Sequence, residues 1–212
     1  MLAIRRIVTV AAIGGLFVAP AVSGASAATS HSSTAKAPAA AARVFTAGTT
    51  RITTGPGIAQ ALLKNGIVTY PTKPARQSQP SVGGGSAIQF TFPVASGRIG
   101  LTPLGGNIYH KGGILFVNKQ SNNYKAIEIS SFVINLNHAT VFGIVNGAKV
   151  RVPLFRFNAS QTKLWAGTKW FTANGVGLTV STTGATALNT ALGTSMFTPG
   201  LALGTARTVL RV

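Results

Sequence analysis

Apolar and polar residues alternate along much of this chain, in short segments that end at glycine, asparagine or proline. A period of two is typical of strands that bury one face. The alternation in residues 88–92 predicts a strand that ends at Pro93, because proline cannot donate to a sheet ladder. The longest such segment is 126–136, in which the apolar parity changes near Ser130 and Ser131. A change of parity inside one strand predicts a β-bulge at that point.

Turn sequences divide the rest of the chain into further strands. Gly97-Arg98 is a turn candidate, and Lys111-Gly112-Gly113 predicts a hairpin between the segments 107–110 and 114–117. Asn146-Gly147 predicts a hairpin with a type I′ turn between 140–145 and 148–157, since both residues tolerate a positive φ. Further strands are predicted at 162–165, 169–172, 176–180 and 206–212.

Two short segments have helical rather than strand periodicity. The first runs from Gly57 to Asn65, after Pro56 and before Gly66, and the second runs from Thr183 to Leu192, before Gly193. Short connections between consecutive strands favour antiparallel neighbours. The sequence therefore predicts a mainly β fold, an antiparallel sandwich or open barrel with one or two short helices.

The first 27 residues have the order of a secretory signal peptide. Arg5 and Arg6 precede an apolar run from Ile7 to Val18, and a small-residue cleavage site ends at Ala27. The alternative is an uncleaved membrane anchor, although the run is short for a span. Residues 28–44, rich in Ala, Ser and Thr, predict a flexible tether, and residues 45–212 predict a single domain. No later segment is apolar enough to span a membrane, so we expect a secreted or cell-surface protein.

The charge balance is the most unusual feature of the composition. The chain has 19 Lys and Arg residues and one acidic residue, for a net charge of +18. Removing Arg5 and Arg6 with the signal peptide leaves 17 basic residues against one acid, or +16. Such a charge attracts anionic ligands, cell-wall polymers and anionic lipids. The basic residues are spread along the chain, which argues against a specific nucleic-acid partner, and general solubility is the alternative interpretation.

The same composition leaves little for catalysis or metal binding. Glu128 is the only side-chain carboxylate, so paired-carboxylate hydrolysis, a complete Ser–His–Asp triad and carboxylate calcium sites are excluded. The chain has no cysteine, which excludes thiol catalysis and Cys-ligated metals. A transition-metal site would need His31, His110 and His138, and His31 falls in the predicted tether. We therefore expect a protein that is not an enzyme.

A few polar aromatic residues remain as candidates for ligand binding. They are His110 with its neighbour Tyr109, and Tyr70 before Pro71. Adjacent strand residues face opposite sides, so Tyr109 and His110 need a bulge to reach one pocket. For His110 the alternative is a buried ring bonded to backbone, and for Tyr70 a packed loop residue. Trp165 and Trp170 are either a surface platform for a sugar or lipid, or the packed ends of a hairpin.

A set of motifs between Phe90 and Val212 carries a resemblance to a known family. They are Phe92-Pro93-Val94-Ala95-Ser96-Gly97-Arg98, Gly105-Gly106-Asn107-Ile108-Tyr109-His110-Lys111-Gly112-Gly113, the segment 129–136, Ala187-Leu188-Asn189, Phe197-Thr198-Pro199-Gly200 and Gly204-Thr205-Ala206. With these motifs the sequence resembles secreted actinobacterial proteins of the HtaA type, a haem-binding family. That resemblance implies a β-rich domain that presents haem at one end of its sheet, with a tyrosinate on the iron and a supporting His after a Gly-rich strand. Only His110 matches by motif, and the family's aromatic N-terminal motif is absent, so Tyr70 is a ligand by position alone.

Two functions follow as expectations. The first is a secreted or cell-surface, non-enzymatic binding domain whose cofactor is haem, bound by His110, Tyr70 and Tyr109. The second is a structural or adhesive envelope protein that binds anionic wall polymers through its net positive charge.

Overall fold

The computed structural model describes residues 42–101, 103–120, 124–158 and 162–212. Within these ranges the chain forms fifteen strands and two helices, and the signal peptide predicted at 1–27 lies outside them. The elements are β1 (Arg43–Phe45), β2 (Ala47–Thr54), α1 (Ile58–Lys64), β3 (Ile67–Thr72), β4 (Arg76–Ser78), β5 (Ser81–Val82), β6 (Gly85–Ser86), β7 (Gln89–Leu101), β8 (Leu104–His110), β9 (Gly113–Asn118), β10 (Lys125–Asn135), β11 (Thr140–Val145), β12 (Arg151–Asn158), β13 (Lys163–Ala166), β14 (Trp170–Val180), α2 (Thr182–Leu192) and β15 (Ala202–Arg211).

Thirteen of these strands form one antiparallel sheet, and β5 and β6 form a separate small hairpin. The sheet follows the order β1-β7-β2-β15-β14-β12-β11-β10-β9-β3. Strand β8 pairs with both β7 and β10, so the path from β7 round to β10 closes on itself. The sequence predicted a mainly β fold, an antiparallel sandwich or open barrel with one or two short helices. The mainly β, antiparallel class is confirmed, and the closed path makes the sheet barrel-like.

Both predicted helices are present at the expected places. Helix α2 buries Leu188 and Leu192 completely against the larger of two core clusters. Its first turn is capped by Ser181, whose Oγ accepts a hydrogen bond from Gly184 N at 2.9 Å. It ends at Gly193, which adopts the left-handed conformation that an αL stop requires.

The predicted bulge in the long strand β10 is also confirmed. Its pairing with β11 shifts between Ser130 and Val133, and Ser131 has a φ of 53°. The extra residue moves Phe132 onto the buried face, where it packs edge-on against Phe92. On the other side of β10, Ser131 N donates to Gly112 O at 3.0 Å, which fixes the junction between β8 and β9.

The hairpin predicted around Lys111-Gly112-Gly113 is wrong. Strands β8 and β9 do not pair with each other, because both lie antiparallel to β10, one after the other along its length. The bulge in β10 explains the break between them, since the partner chain must bend where β10 bends. Gly112, with a φ of 81°, is needed at this bend, where a Cβ would lie 2.6 Å from Ala75 N.

Two expectations for β7 are also wrong. The strand continues through Pro93 to Leu101, and Gly97 and Arg98 lie within it rather than in a turn. On one edge of β7 the pairing with β4 stops at Thr91 and the pairing with β8 starts at Val94. Pro93 lies between these two partners. At this position neither strand needs a hydrogen bond from its backbone nitrogen, so a proline is tolerated.

The turn at Asn146-Gly147 is confirmed. Both residues have positive φ, 47° and 69°, and Ala148 N donates to Val145 O at 2.9 Å, as in a type I′ turn. The strands predicted at 169–172 and 176–180 are parts of one strand, β14, in which a bulge follows Asn174. Most of the tether predicted at 28–44 lies outside the described residues, and its last residues, Arg43 and Val44, belong to β1.

Candidate functional site

A cleft of about 610 Å³ lies beside strand β3. Strand β3 ends the pairing path of the sheet, so it pairs with β9 along one edge only. The chain then turns through Thr72–Ala75, where Ala75 N donates to Thr72 O at 3.1 Å around a cis Lys73–Pro74 bond, and returns as β4. Because β4 pairs with β7 and not with β3, a gap opens between them. We call this gap the β3 cleft.

The lining of the β3 cleft combines apolar side chains with buried polar atoms. Thr69 Oγ1 and Gln77 Oε1 are buried and have no hydrogen-bond partner among the described residues. Buried polar atoms in proteins are normally paired, so these two are available to a ligand. The apolar part of the lining is formed by Ala59, Leu63, Ile67, Val68, Ala87 and Ile88.

Tyr70 lines the same cleft and is 44% exposed. It follows the buried Thr69 on β3, so its side chain belongs to the opposite, outer face of the strand. The ammonium group of Lys119 lies 6.0 Å from the centre of its ring, within range of a cation–π contact. The interpretation of Tyr70 as a packed loop residue does not match this position on an edge strand.

His110 lies away from the β3 cleft, on the buried face of the sheet. It is 6% exposed and lines a separate cavity of about 30 Å³, which shares no lining residue with the β3 cleft. Its Nε2 is 2.7 Å from Thr50 Oγ1, which is in turn 2.9 Å from Thr208 Oγ1, and its Nδ1 is 3.3 Å from Phe132 O. Both ring nitrogens are therefore used inside the protein.

The bonding of His110 fixes the position of one ring proton. Phe132 O can only accept, so Nδ1 carries a proton and donates, and in the neutral ring Nε2 accepts from the Thr50 hydroxyl. Burial lowers the pKa of His110 from 6.5 to about 4, although backbone hydrogen bonds with Phe132 and Ile108 act in the opposite direction. A neutral ring held on both sides is a structural element of the core and is not free to ligate a metal.

Tyr109 occupies a third place. It is 40% exposed and lines a shallow groove of about 380 Å³ with Arg98 and Asn107. The side chain of Tyr109 projects from the face of β8 opposite to that of His110, as the alternation of strand residues predicts. The structure thus places Tyr70, Tyr109 and His110 in three separate environments.

Trp165 and Trp170 lie on the hairpin formed by β13 and β14. They are 46% and 44% exposed, and Gly167 lies against the Trp170 ring, where a Cβ would meet Nε1 at 2.3 Å. The contact with Gly167 agrees with the packed interpretation for Trp170, and the surface platform stays a prediction.

Thr69 and Gln77 are the site residues that the sequence analysis missed. The alternation of Ile67 and Thr69 could have placed Thr69 on a buried face. Nothing in the sequence brings Gln77 into the same cleft, because its position depends on the pairing of β4 with β7 instead of β3.

Two further findings concern metal groups and membrane spans. Within the described ranges there is no group of three or more His, Asp or Glu side chains that could hold a metal ion, and His31 lies outside those ranges. None of the helices in the described residues is long and apolar enough to cross a membrane.

Comparison with known proteins gives a match at the level of structure. No protein-family model matches the chain, and no curated protein sequence matches it significantly. The structure is similar to that of the C-terminal domain of HtaA from Corynebacterium glutamicum, with a TM-score of 0.53 and 16% sequence identity. The match covers 78% of this chain and 98% of that domain. The HtaA-like fold expected from the sequence is therefore present, at a distant level of similarity.

Proposed function

We propose that this chain is an exported, non-enzymatic binding domain of HtaA-like fold and that the β3 cleft is its ligand site. The observation that carries the proposal is the cleft itself, which combines an exposed tyrosine, an apolar lining and two buried polar atoms without partners. Its volume falls within the range of roughly 300–1,000 Å³ that is typical of small-molecule sites. The single acidic residue and the internally bonded His110 leave no acid–base pair for turnover.

Haem is the ligand that the HtaA likeness suggests for this cleft. Haem supplies a flat apolar ring, an iron centre and two propionates. The residues present fit the first part, since Leu63 and its apolar neighbours can receive the ring and Tyr70 offers a phenol oxygen to the iron. Lys64, Lys73 and Lys119 are exposed, and among the described residues none of them is paired with a carboxylate that would compete with a propionate. His110 does not fit as an iron ligand, because Thr50 and Phe132 occupy its nitrogens.

A haem titration followed in the Soret region tests this proposal. The wild-type protein is expected to shift the Soret band, and Tyr70→Phe is expected to weaken binding at least tenfold and to change the spectrum, because the ligating oxygen is removed. A tenfold loss corresponds to about 1.4 kcal/mol. Leu63→Glu is expected to weaken binding as well, by adding a charge to the apolar lining.

The controls separate the cleft from the other candidates. Tyr109→Phe and Tyr124→Phe change exposed tyrosines that do not line the cleft, and they are expected to bind haem as the wild type does. His110→Gln is expected to keep the Soret shift if the variant is folded. Absence of any shift in the wild type would exclude haem, and an unchanged shift in Tyr70→Phe would exclude Tyr70 as its ligand.

A second function, adhesion to anionic wall polymers, is favoured by one observation on the charges. In the part of the chain that the structure describes, no Lys or Arg side chain is paired with Glu128, the only acidic residue. The positive charges are therefore unneutralised within the fold and available to an anionic partner.

A further inference from the structure

We infer that the outer face of the sheet carries an extended site for a linear phosphodiester polymer, centred on Arg51 and Arg207. This inference rests on the second function proposed above, and it replaces general charge attraction by a defined set of residues. We call this set, Arg76, Arg51, Arg207 and Lys163, the cationic row.

The cationic row is defined by the register of six neighbouring strands. Residues directly opposite each other in paired strands project on the same face of a sheet. The opposed positions, followed strand by strand from β4 through β7, β2, β15 and β14 to β13, are Arg76, Thr91, Arg51, Arg207, Asn174 and Lys163. Five steps of about 4.8 Å give the row a length of about 24 Å. Its four basic residues are all exposed.

The centre of the row is a pair of like charges. Arg51 and Arg207 are directly opposite each other, an arrangement that opposes sheet formation unless the charges are compensated. Both line a cavity of about 220 Å³ whose other polar side chains are Thr53, Gln89, Asn174 and Thr205. Glu128 cannot compensate them here, because it lies on β10 between Leu115 and Asn146.

This arrangement suits an oxyanion. Two guanidinium groups on neighbouring strands present planar forks of N–H donors, the geometry that matches phosphate oxygens. The amide of Asn174 and the hydroxyl of Thr205 add neutral donors to the same cavity. A phosphate between Arg51 and Arg207 turns their repulsion into two charge-assisted contacts.

The flanking residues favour a polymer over a single anion. Arg76 lies two strands from Arg51 on one side, and Lys163 lies two strands from Arg207 on the other, so each is about 10 Å away. These distances are too long for one phosphate to reach all four side chains. They suit a flexible chain in which charged groups are separated by neutral units.

The position of the aromatic residues argues against single-stranded nucleic acid as the partner. Proteins that bind single strands interleave basic residues with aromatic rings on which successive bases stack. Between Arg76 and Lys163 the row contains Thr91 and Asn174 and no aromatic residue. Trp165 lies beside the end of the row, two residues from Lys163 along β13 and on the same face.

The test measures binding of poly(glycerol phosphate) to the protein by calorimetry at several salt concentrations. The double variant Arg51→Gln/Arg207→Gln is expected to bind at least tenfold more weakly than the wild type. Loss of two phosphate contacts is also expected to reduce the slope of log K against log salt by about 1.4. The matched control is Lys111→Gln/Lys149→Gln, which removes the same charge from exposed positions outside the row and is expected to weaken binding much less.

The alternative outcomes are distinguishable. Equal weakening by both double variants would overturn the cationic row and leave general charge attraction in place. Failure of the wild type to bind the polymer at low salt would overturn both. Inorganic phosphate binding as tightly as the polymer would overturn the extended site, and tighter binding of oligo(dT) would overturn the class of polymer. Thermal unfolding of Arg51→Gln/Arg207→Gln is expected at the wild-type temperature or above, since the variant removes a repulsion, and a large decrease would contradict this account.

Discussion

Acidification from pH 7.5 to 4.5 is expected to lower the free energy of unfolding by about 2.5 kcal/mol, and His110 is expected to account for nearly all of the loss. The pKa of His110 is about 4 in the folded protein and 6.5 when the chain is unfolded. Between these values the unfolded chain binds the proton and the folded protein does not, so stability falls as the pH falls. The full difference of about 3.4 kcal/mol is reached below pH 4.

The hydrogen bonds around His110 explain why the folded state resists protonation. In the neutral state the Thr208 hydroxyl donates to Thr50, the Thr50 hydroxyl donates to Nε2, and Nδ1 donates to Phe132 O. A proton on Nε2 would turn this acceptor into a donor and reverse the two hydroxyls. The Thr208 hydroxyl would then need an acceptor, and none is present among the described residues.

Urea unfolding of the wild type and His110→Gln at several pH values checks this expectation. Acid destabilisation of most proteins includes many carboxylates, but this chain has one acidic side chain, so the contribution of the histidine is unusually well isolated. His110→Gln is expected to be less stable at pH 7.5, because a buried network is disturbed, and nearly independent of pH down to 4.5. A variant that kept the full pH dependence would show that other groups cause it.

The substitution Gly184→Ala is expected to destabilise the protein by about 3 kcal/mol. A Cβ on Gly184 would lie 2.1 Å from Leu154 O and 2.9 Å from Leu154 C, both backbone atoms of β12. That segment cannot give way easily, since Ser181 N donates to Leu154 O at 2.9 Å and Ser181 Oγ donates to Pro153 O at 2.7 Å. Helix α2 must therefore shift away from the sheet. The packing energy lost in this shift exceeds the gain of about 1 kcal/mol that alanine brings to a helix.

Gly177→Ala is the matched control for this substitution. Gly177 lies in β14, and a Cβ there would have no heavy atom within 4 Å apart from its chain neighbours. The control is expected to leave the free energy of unfolding within about 0.5 kcal/mol of the wild type or to raise it. Equal stability of the two variants in urea unfolding would contradict the close contact between α2 and β12.

Local patterns in the sequence predicted the elements better than their partners. The bulge near Ser131, the turn at Asn146-Gly147 and both helices are visible from parity, turn residues and caps, because each is determined within a few residues. The hairpin at Gly112 was wrong because pairing depends on the distant strand β10. A glycine that permits a bend does not show which strand lies beside it.

The candidate site shows the same difference between features determined locally and features that depend on distant strands. Tyr70 and His110 could be selected as unusual polar aromatics, but the sequence could not show that one lines the β3 cleft and the other faces Thr50 across the interior. The cationic row was not recognised for a related reason. Arg51 and Arg207 are 156 positions apart in the chain and become neighbours only through the pairing of β2 with β15. In a sheet of this kind, charge clusters form across strands and do not appear as runs.

The unpaired edge of β3 also bears on how the protein behaves at high concentration. Exposed strand edges are templates for intermolecular sheet growth, which leads to aggregates and fibrils. Along this edge Pro71 supplies no N–H to an incoming strand, and Lys64 and Lys73 place positive charge just before and just after the strand. A second copy would bring the same charges to the same place. The proline and the lysines thus oppose edge-to-edge pairing of two copies along the same edge that borders the cleft.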